Sequence, residues 1–428
     1  MKVFLRTFGC RANHYDTEAV RAMVEDAGHA VVDSAADADV AVFNSCAVTT
    51  EAEAELRKVV RRAAKDRPSL RSVVMGCASA LDHQRPAPLQ ARSLPTVEHV
   101  VDGADLAAIA RALQIEAPSR ATLTRAQAGT RAVLRVQDGC DEHCTFCATT
   151  QARGANRSRT IDSLVTEAEL LSERHAEIVI TGIHIGTYGA DIGTSLGVLA
   201  ERLVRAVPSV RFRLSSIEAT ELDERLTELL VGEPTHLAPH VHAPLQSGSD
   251  RVLKRMGRHW YTSRSYREAL ERLAARMPAL GLGADVIAGF PGETGDDHAA
   301  TLALVHALPF GYLHVFPYSL RPGTAAERLG GQVHGEIVAE RAAALRAAGE
   351  AKAADYRARR AGGGADVIVI GDAAKKHGLT GDFLEVDLAD PSVARGARFD
   401  ALLSAAERGR LLATPAGVAT HNSESRIR

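Results

Sequence analysis

Six cysteines fall into two groups of three, spaced in different ways. Cys140, Cys144 and Cys147 lie in QDGCDEHCTFCATT (residues 137–150), and this CxxxCxxC spacing lets three thiolates wrap one small cluster from a single loop. With no fourth cysteine nearby, an iron–sulfur cluster held there keeps one iron open. Open metal positions bind substrates or cofactors, whereas closed ones are usually structural. A zinc ribbon would need a second cysteine pair at a matching distance, and this region has none. Cys10, Cys46 and Cys77 are separated by as many as 67 positions but share a context, because each follows an apolar run: KVFLRTFG, VAVFNS and SVVMG. If those runs are parallel neighbouring strands, their C-terminal ends share one sheet edge and the three thiols meet in space. The competing reading is three small buried residues; equivalent positions at three strand ends favour a common role.

The elements needed to position these groups can be traced along the chain. KVFLRTFG, DVAVFN and SVVMG read as strands, DTEAVRAMVEDAG, TEAEAELRKVVRRAAK and DLAAIARALQ as helices, which together describe a small parallel βαβ domain over residues 1–120. A polar connector follows. From Arg131 the alternation restarts, with strands expected at AVLRVQ, EIVITG, VRFRLS, HVHAP, LGADVIAG and YLHVFPY. Six β/α units predict a partial (β/α)6 barrel of the TIM type over residues 121–361, with its site built from the loops after the strands. Cys140 follows the first of those strands directly, and so belongs to that mouth. A long Ala- and Arg-rich helix is expected at roughly 334–360, and AGGG (361–364) reads as a hinge. Strands at DVIVIGD, GDFLEVDL and RFDALLSA make residues 362–428 a small β module with a loose tail, ATHNSESRIR.

Composition sets the limits. The 428 residues are 46% hydrophobic, enough for two or three cores, and a net charge of −2 leaves no global electrostatic case for nucleic acid. No apolar run approaches the roughly 18 residues of a membrane span, which predicts a cytoplasmic protein and no membrane partner. In that reducing compartment cysteines read as metal ligands or catalytic thiols rather than disulfides.

CxxxCxxC with Phe146 before its last cysteine, after the first strand of a six-unit barrel, resembles the radical S-adenosylmethionine superfamily. TFGCRANHYDTE, FNSCAVT and VMGCASA ahead of it, with RGANRSR, VITGIHIGTYG, PLQSGSDRVLKRM, DVIAGFPGET and HVFPYSLRPGTAA, resemble the methylthiotransferase family over nearly the whole chain. HGLTGDFLEV resembles the TRAM module, an RNA-binding domain, and SSIEATEL with HVFPYSLRPGT is most similar to the branch that modifies N6-threonylcarbamoyladenosine in tRNA.

The resemblance implies two [4Fe-4S] clusters, each with an open iron. Cys140, Cys144 and Cys147 would hold the radical cluster, whose open corner binds S-adenosyl-L-methionine, and Cys10, Cys46 and Cys77 the sulfur-donating one. All six are thus implied as catalytic and metal-ligating residues. Phe146, Gly182, Gly186 and Gly189, with Gln246 and Ser247, are the implied cofactor-binding set; the glycines suit close backbone approach to a ligand. Arg153, Arg157 and Arg159, just downstream of the radical cysteines, are candidates for tRNA phosphates. A flavodoxin or ferredoxin is the implied electron donor, and a sulfur source is needed. Two rivals keep the chemistry and change the substrate, to a ribosomal protein aspartate or to N6-isopentenyladenosine in tRNA; a third is a non-catalytic iron–sulfur RNA-binding scaffold. The chain departs from the family in lacking a proline after Cys147 (CATTQARG), in an additional residue at Trp260, and in a short C-terminal module.

Overall fold

A computed structural model describes residues 1–47, 50–82, 89–117, 123, 125–371 and 375–416. The expected boundary near residue 120 and the C-terminal tail fall outside these residues. The first unit contains β1 (Lys2–Thr7), α1 (Arg11–Asp26), β2 (Ala30–Val32), β3 (Val40–Ser45), α2 (Thr50–Asp66), β4 (Arg71–Gly76), the single turn α3 (Cys77–Ala80), β5 (Val97–Val100) and α4 (Leu106–Leu113). Its five strands are all parallel in the order β2-β1-β3-β4-β5. Every residue of β3 is buried. This follows from apolar cores on both sheet faces, which make a central parallel strand apolar throughout instead of alternating. Because β1, β3 and β4 are the three adjacent central strands, Cys10, Cys46 and Cys77 emerge side by side.

The second unit is the expected partial barrel. Strands β6 (Ala132–Arg135), β9 (Glu177–Thr181) and β10 (Arg211–Leu214) form one parallel group, and β11 (His240–His242), β12 (Gly281–Ala288) and β13 (Tyr312–Pro317) another. Bridges Phe212↔Leu237 and Ser216↔His242 join them into a single curved wall. Helices α6 (Ile161–Ser172), α7 (Leu196–Ala206), α8 (Glu224–Gly232), α10 (Ser263–Arg276) and α11 (Gly295–Ala307) alternate with these strands, with the short α9 (Asp250–Arg255) before α10. Between β6 and α6 the chain forms a loop clasped by two-residue strands, β7 (Gln137–Asp138) and β8 (Arg157–Ser158), paired antiparallel. That loop carries the second cysteine group and the one-turn α5 (Thr149–Arg153).

After α12 (Gly335–Arg360) the chain closes a five-stranded barrel of β14 (Gly364–Ile370), β15 (His377–Thr380), β16 (Glu385–Leu388), β17 (Arg398–Ala405) and β18 (Leu411–Pro415). The module is thus more complete than its three legible strands suggested. The AGGG hinge is also corrected: Gly362 N–H donates to Leu403 O (2.7 Å) and Gly363 O accepts from Leu403 N–H (2.9 Å), tying the turn into this barrel. Among the described residues, no helix is long and apolar enough to cross a membrane.

A buried ionic node docks the C-terminal barrel on the larger one. Glu177 of β9 accepts from Arg211 Nε (2.7 Å) and from Arg213 Nε and Nη2 (both 2.9 Å), and all three side chains are inaccessible to solvent. The remaining guanidinium donors reach Asp366 O, Thr380 O and Gly381 O of the small barrel. Burial alone would raise the Glu177 carboxyl, but Arg213 and Arg211 outweigh it and hold the group well below the usual carboxylate range. Glu177→Gln leaves two buried cations facing a neutral amide. Breaking a buried pair from one side costs about 3–5 kcal/mol, so urea unfolding should show a loss of that size.

Candidate active site

Local sequence explains how the first thiol group converges. Gly9 (φ +94°) turns the chain out of β1 so that Cys10 caps α1; a Cβ at Gly9 would lie 2.5 Å from Cys46 Sγ, so only glycine lets the two cysteine loops approach. Cys77 opens α3 directly after β4. Asn13, fully buried one turn into α1, stands between: its Oδ1 lies 3.9 Å from Cys10 Sγ and 3.6 Å from Cys77 Sγ, and its Nδ2 donates to Phe8 O and Ser45 O. All three cysteines therefore meet at one edge of the sheet. Burial pushes the Cys77 thiol up to about 12, against the lowering effect of Arg153.

The second group is held by the clasped loop. Cys140 N–H donates to Gly154 O (3.0 Å), Cys147 N–H to Cys144 O (3.1 Å), and Thr145 is fastened to the barrel through Met256 O and Arg255 O. Thr149 N–H and Glu142 N–H point at Cys147 Sγ (3.3 Å) and Cys140 Sγ (3.4 Å), supplying donors to sulfur. Phe146 anchors the loop edge-on against buried Phe290, at 6.2 Å between ring centres. Thr150, three residues after Cys147, donates through its hydroxyl to Glu142 O (3.1 Å), a tie proline could not make. Among the described residues the six cysteines form no disulfide.

Around this loop lies a polar cradle that the sequence reading left unassigned. Arg258 reaches Cys144 Sγ (3.6 Å), pairs with buried Glu218, donates from Nε to Tyr261 OH (3.0 Å), and lies over the Trp260 ring at 4.7 Å. The additional Trp260 therefore covers the arginine. His184 Nδ1 is 3.7 Å from Cys140 Sγ and its Nε2 is 2.8 Å from Glu221. Burial disfavours its charged form, yet contacts with Cys140 and Glu221 outweigh this and carry the ring up to about 10. Burial likewise pushes Cys144 up to about 12, with Arg258 opposing. Iron binding would hold these thiols as thiolates and release their protons. Glu218 Oε2, Glu221 Oε2 and Trp260 Nε1 are buried and lack a hydrogen-bond partner among the described residues. Such orphaned atoms beside a three-thiol loop fit an open cluster together with a polar, zwitterionic cosubstrate. Glu218 lies in SSIEATEL, four residues after β10, and Arg258 in MGRHWYT, three residues after α9.

The other expected site residues are placed as follows. A Cβ on Gly182, Gly186 or Gly189 would fall 2.8 Å from Gln137 O, 1.8 Å from Glu221 Oε2 and 2.5 Å from the Thr194 carbonyl carbon, so protein packing at the mouth already demands these glycines. Gln246 adopts a left-handed conformation (φ +60°) and lines up with β12 through Asp285 O and Ile287 N. Ser247 is fully buried and accepts from Ser249 N–H (3.2 Å). The three arginines separate. Arg159 is turned inward onto Glu167 (2.8 Å) and Tyr15 OH (2.9 Å). Arg153 is 6% exposed and donates to Asp16, Asp138, Asn13 and Cys77. The guanidiniums of Arg153 and Arg159 are both engaged within the protein, whereas Arg157, 60% exposed, faces solvent.

Residues 2–94 match the family model described as Uncharacterized protein family UPF0004, and residues 134–305 match that of the Radical SAM superfamily. The chain is 33% identical over 371 residues to "Threonylcarbamoyladenosine tRNA methylthiotransferase MtaB" of Thermotoga maritima, covering 83% of this chain and 84% of that protein. The protein of the same description in Bacillus subtilis is 34% identical over 374 residues (83% and 81%). A "tRNA-2-methylthio-N(6)-dimethylallyladenosine synthase" of Streptomyces griseus is 32% identical over 397 residues (88% and 78%).

Proposed function

Because this chain belongs to the tRNA methylthiotransferase family of radical S-adenosylmethionine enzymes, we propose that it adds a methylthio group to C2 of N6-threonylcarbamoyladenosine beside the anticodon of tRNA. When bound, S-adenosylmethionine and an iron–sulfur cluster supply the reductive carbon–sulfur cleavage that makes a 5'-deoxyadenosyl radical. The chain's own residues prepare the place for it. Cys140, Cys144 and Cys147 would ligate the radical cluster, Glu218, Arg258 and Gln246 would fix the polar end of the cosubstrate, and the apolar core beneath the mouth excludes water. Cys10, Cys46 and Cys77 would hold the second [4Fe-4S] cluster, which would supply the sulfur.

The observation that carries this reading is the link that Arg153 makes between the two cysteine groups. Arg153, six residues after Cys147, donates to Cys77 Sγ at 3.2 Å, while the next residue's carbonyl holds Cys140 N–H at 3.0 Å. A substrate placed at this junction can meet a radical formed on one side and a sulfur donor on the other, as methylthiolation of an unreactive C–H bond requires. Arg157 and the C-terminal barrel would steer the tRNA; a flavodoxin- or ferredoxin-type reductant and a sulfur source in the cytoplasm complete the partners. Mass spectrometry of tRNA nucleosides decides the matter. Deleting the gene should remove methylthio-threonylcarbamoyladenosine and leave its unmodified parent; loss of a methylthio-isopentenyladenosine, or no loss in tRNA, would overturn the assignment.

A further inference from the structure

Arg153 has a task beyond the contact already described. We infer that it is a positioning residue that fixes the Cys77 sulfur, and through Asn13 that of Cys10, against the radical loop, and that it tunes an iron–sulfur centre on the N-terminal cysteines by a charge-assisted hydrogen bond to Cys77. This rests on the reading of Cys10, Cys46 and Cys77 as cluster ligands.

A guanidinium offers five N–H donors in a rigid fork. Arg153 directs them onto three separate elements: Nε to Cys77 Sγ of α3 (3.2 Å), Nη1 to Asp138 Oδ1 of β7 (3.0 Å), and Nη2 to Asn13 Oδ1 and Asp16 Oδ2 of α1 (both 2.7 Å). Asn13 Oδ1 is the same atom that faces both Cys10 and Cys77, so the arginine orders the polar floor between those two thiols. Two carboxylates balance its charge. Asp16, 2% exposed, lies 2.7 Å from Nη2, and Asp138 lies 3.0 Å from Nη1. Lysine, a point charge with a flexible stem, cannot span three elements in this way.

The backbone completes the link to the radical side. Arg153 ends α5, and Gly154 (φ +75°) turns so that its carbonyl takes Cys140 N–H. From Cys140 to Cys77 the path is therefore one backbone hydrogen bond, the two adjacent residues Gly154 and Arg153, and one side-chain hydrogen bond. Donors to a cluster's sulfurs and nearby positive charge favour its reduced, more negative state and raise its potential. A purely structural arginine would not be aimed at the thiol.

The test uses the full-length chain with Cys140, Cys144 and Cys147 replaced by alanine, so that iron reports only the N-terminal centre. After anaerobic reconstitution, Arg153→Met and Arg153→Lys are each added, and the midpoint potential, electron paramagnetic resonance signal and iron loss to a chelator are measured. Both variants should shift the midpoint to more negative values, Met more than Lys, and give up iron about 10–100-fold more readily, the usual cost of losing a residue that supports a metal ligand. Arg153→Lys keeps a cation beside Asp16 and Asp138, so its potential remains readable should the Met chain fail to fold. An unchanged potential and chelator resistance in Arg153→Lys overturn the inference while leaving the cluster itself standing. A background chain that takes up no iron overturns the cluster reading, and the inference with it.

Discussion

Replacing Cys144 by alanine is expected to abolish both methylthiolation of tRNA and formation of 5'-deoxyadenosine, the largest single-residue effect in the chain. Its sulfur is reached by Arg258 (3.6 Å), which in turn grips Glu218 and packs against Trp260. On the proposed reading the substitution removes one of three cluster ligands, and the other two cysteines of the loop are already the remaining two. Removing catalytic groups that act as a unit costs nearly as much singly as together, so the triple alanine variant should be no worse than Cys144→Ala. Anaerobic incubation with S-adenosylmethionine and dithionite, followed by chromatography for 5'-deoxyadenosine, checks it. Residual cleavage above about a hundredth of the parent rate would mean that the loop does not ligate the radical-forming cluster, since loss of one member of a catalytic unit costs ~10⁴ or more.

The cysteine loop could be found from sequence because its chemistry resides in residue types at short spacing, whereas its support could not. Arg153 and Asn13 are 140 positions apart and Arg258 and Cys144 are 114 apart. RGANRSR shows that charge is present without showing its direction, and two of its three arginines turn inward to buried carboxylates. Asn13 and Asp16 carried a faint signal, as polar residues three apart on the buried side of an amphipathic helix that starts at a cysteine. Likewise, every long strand of the two larger units was legible as an apolar run. The missed ones are β2 with three residues, β5 with four, the two-residue pair β7 and β8, and β15 and β18, whose HGLT and LLATP include a glycine and a terminal proline. Such short segments offer too few alternations for a period to show. AGGG misled for a related reason: glycine freedom reads as a hinge, although here it lets the backbone reach Leu403.

Replacing Cys10, Cys46 and Cys77 together should separate the two halves of the reaction. The radical loop is fastened within its own barrel, through Thr145 N–H to Met256 O (2.8 Å), Thr145 Oγ1 to Arg255 O (2.9 Å) and Ala326 N–H to Thr145 O (2.7 Å), and needs none of the N-terminal thiols to keep its shape. The triple alanine chain is therefore expected to form 5'-deoxyadenosine yet to make no methylthio nucleoside, and to hold about half the iron of the parent, one cubane in place of two. Loss of the Cys77 acceptor still leaves Arg153 its bonds to Asp16, Asp138 and Asn13, so the domain contact survives and an effect on the radical side would not arise from misplacement. Iron assay, nucleoside analysis and chromatography of the same preparation read all three quantities. An iron content equal to that of the parent would end the assignment of these cysteines as ligands, because three thiols at the ends of adjacent parallel strands would then be no more than small buried residues.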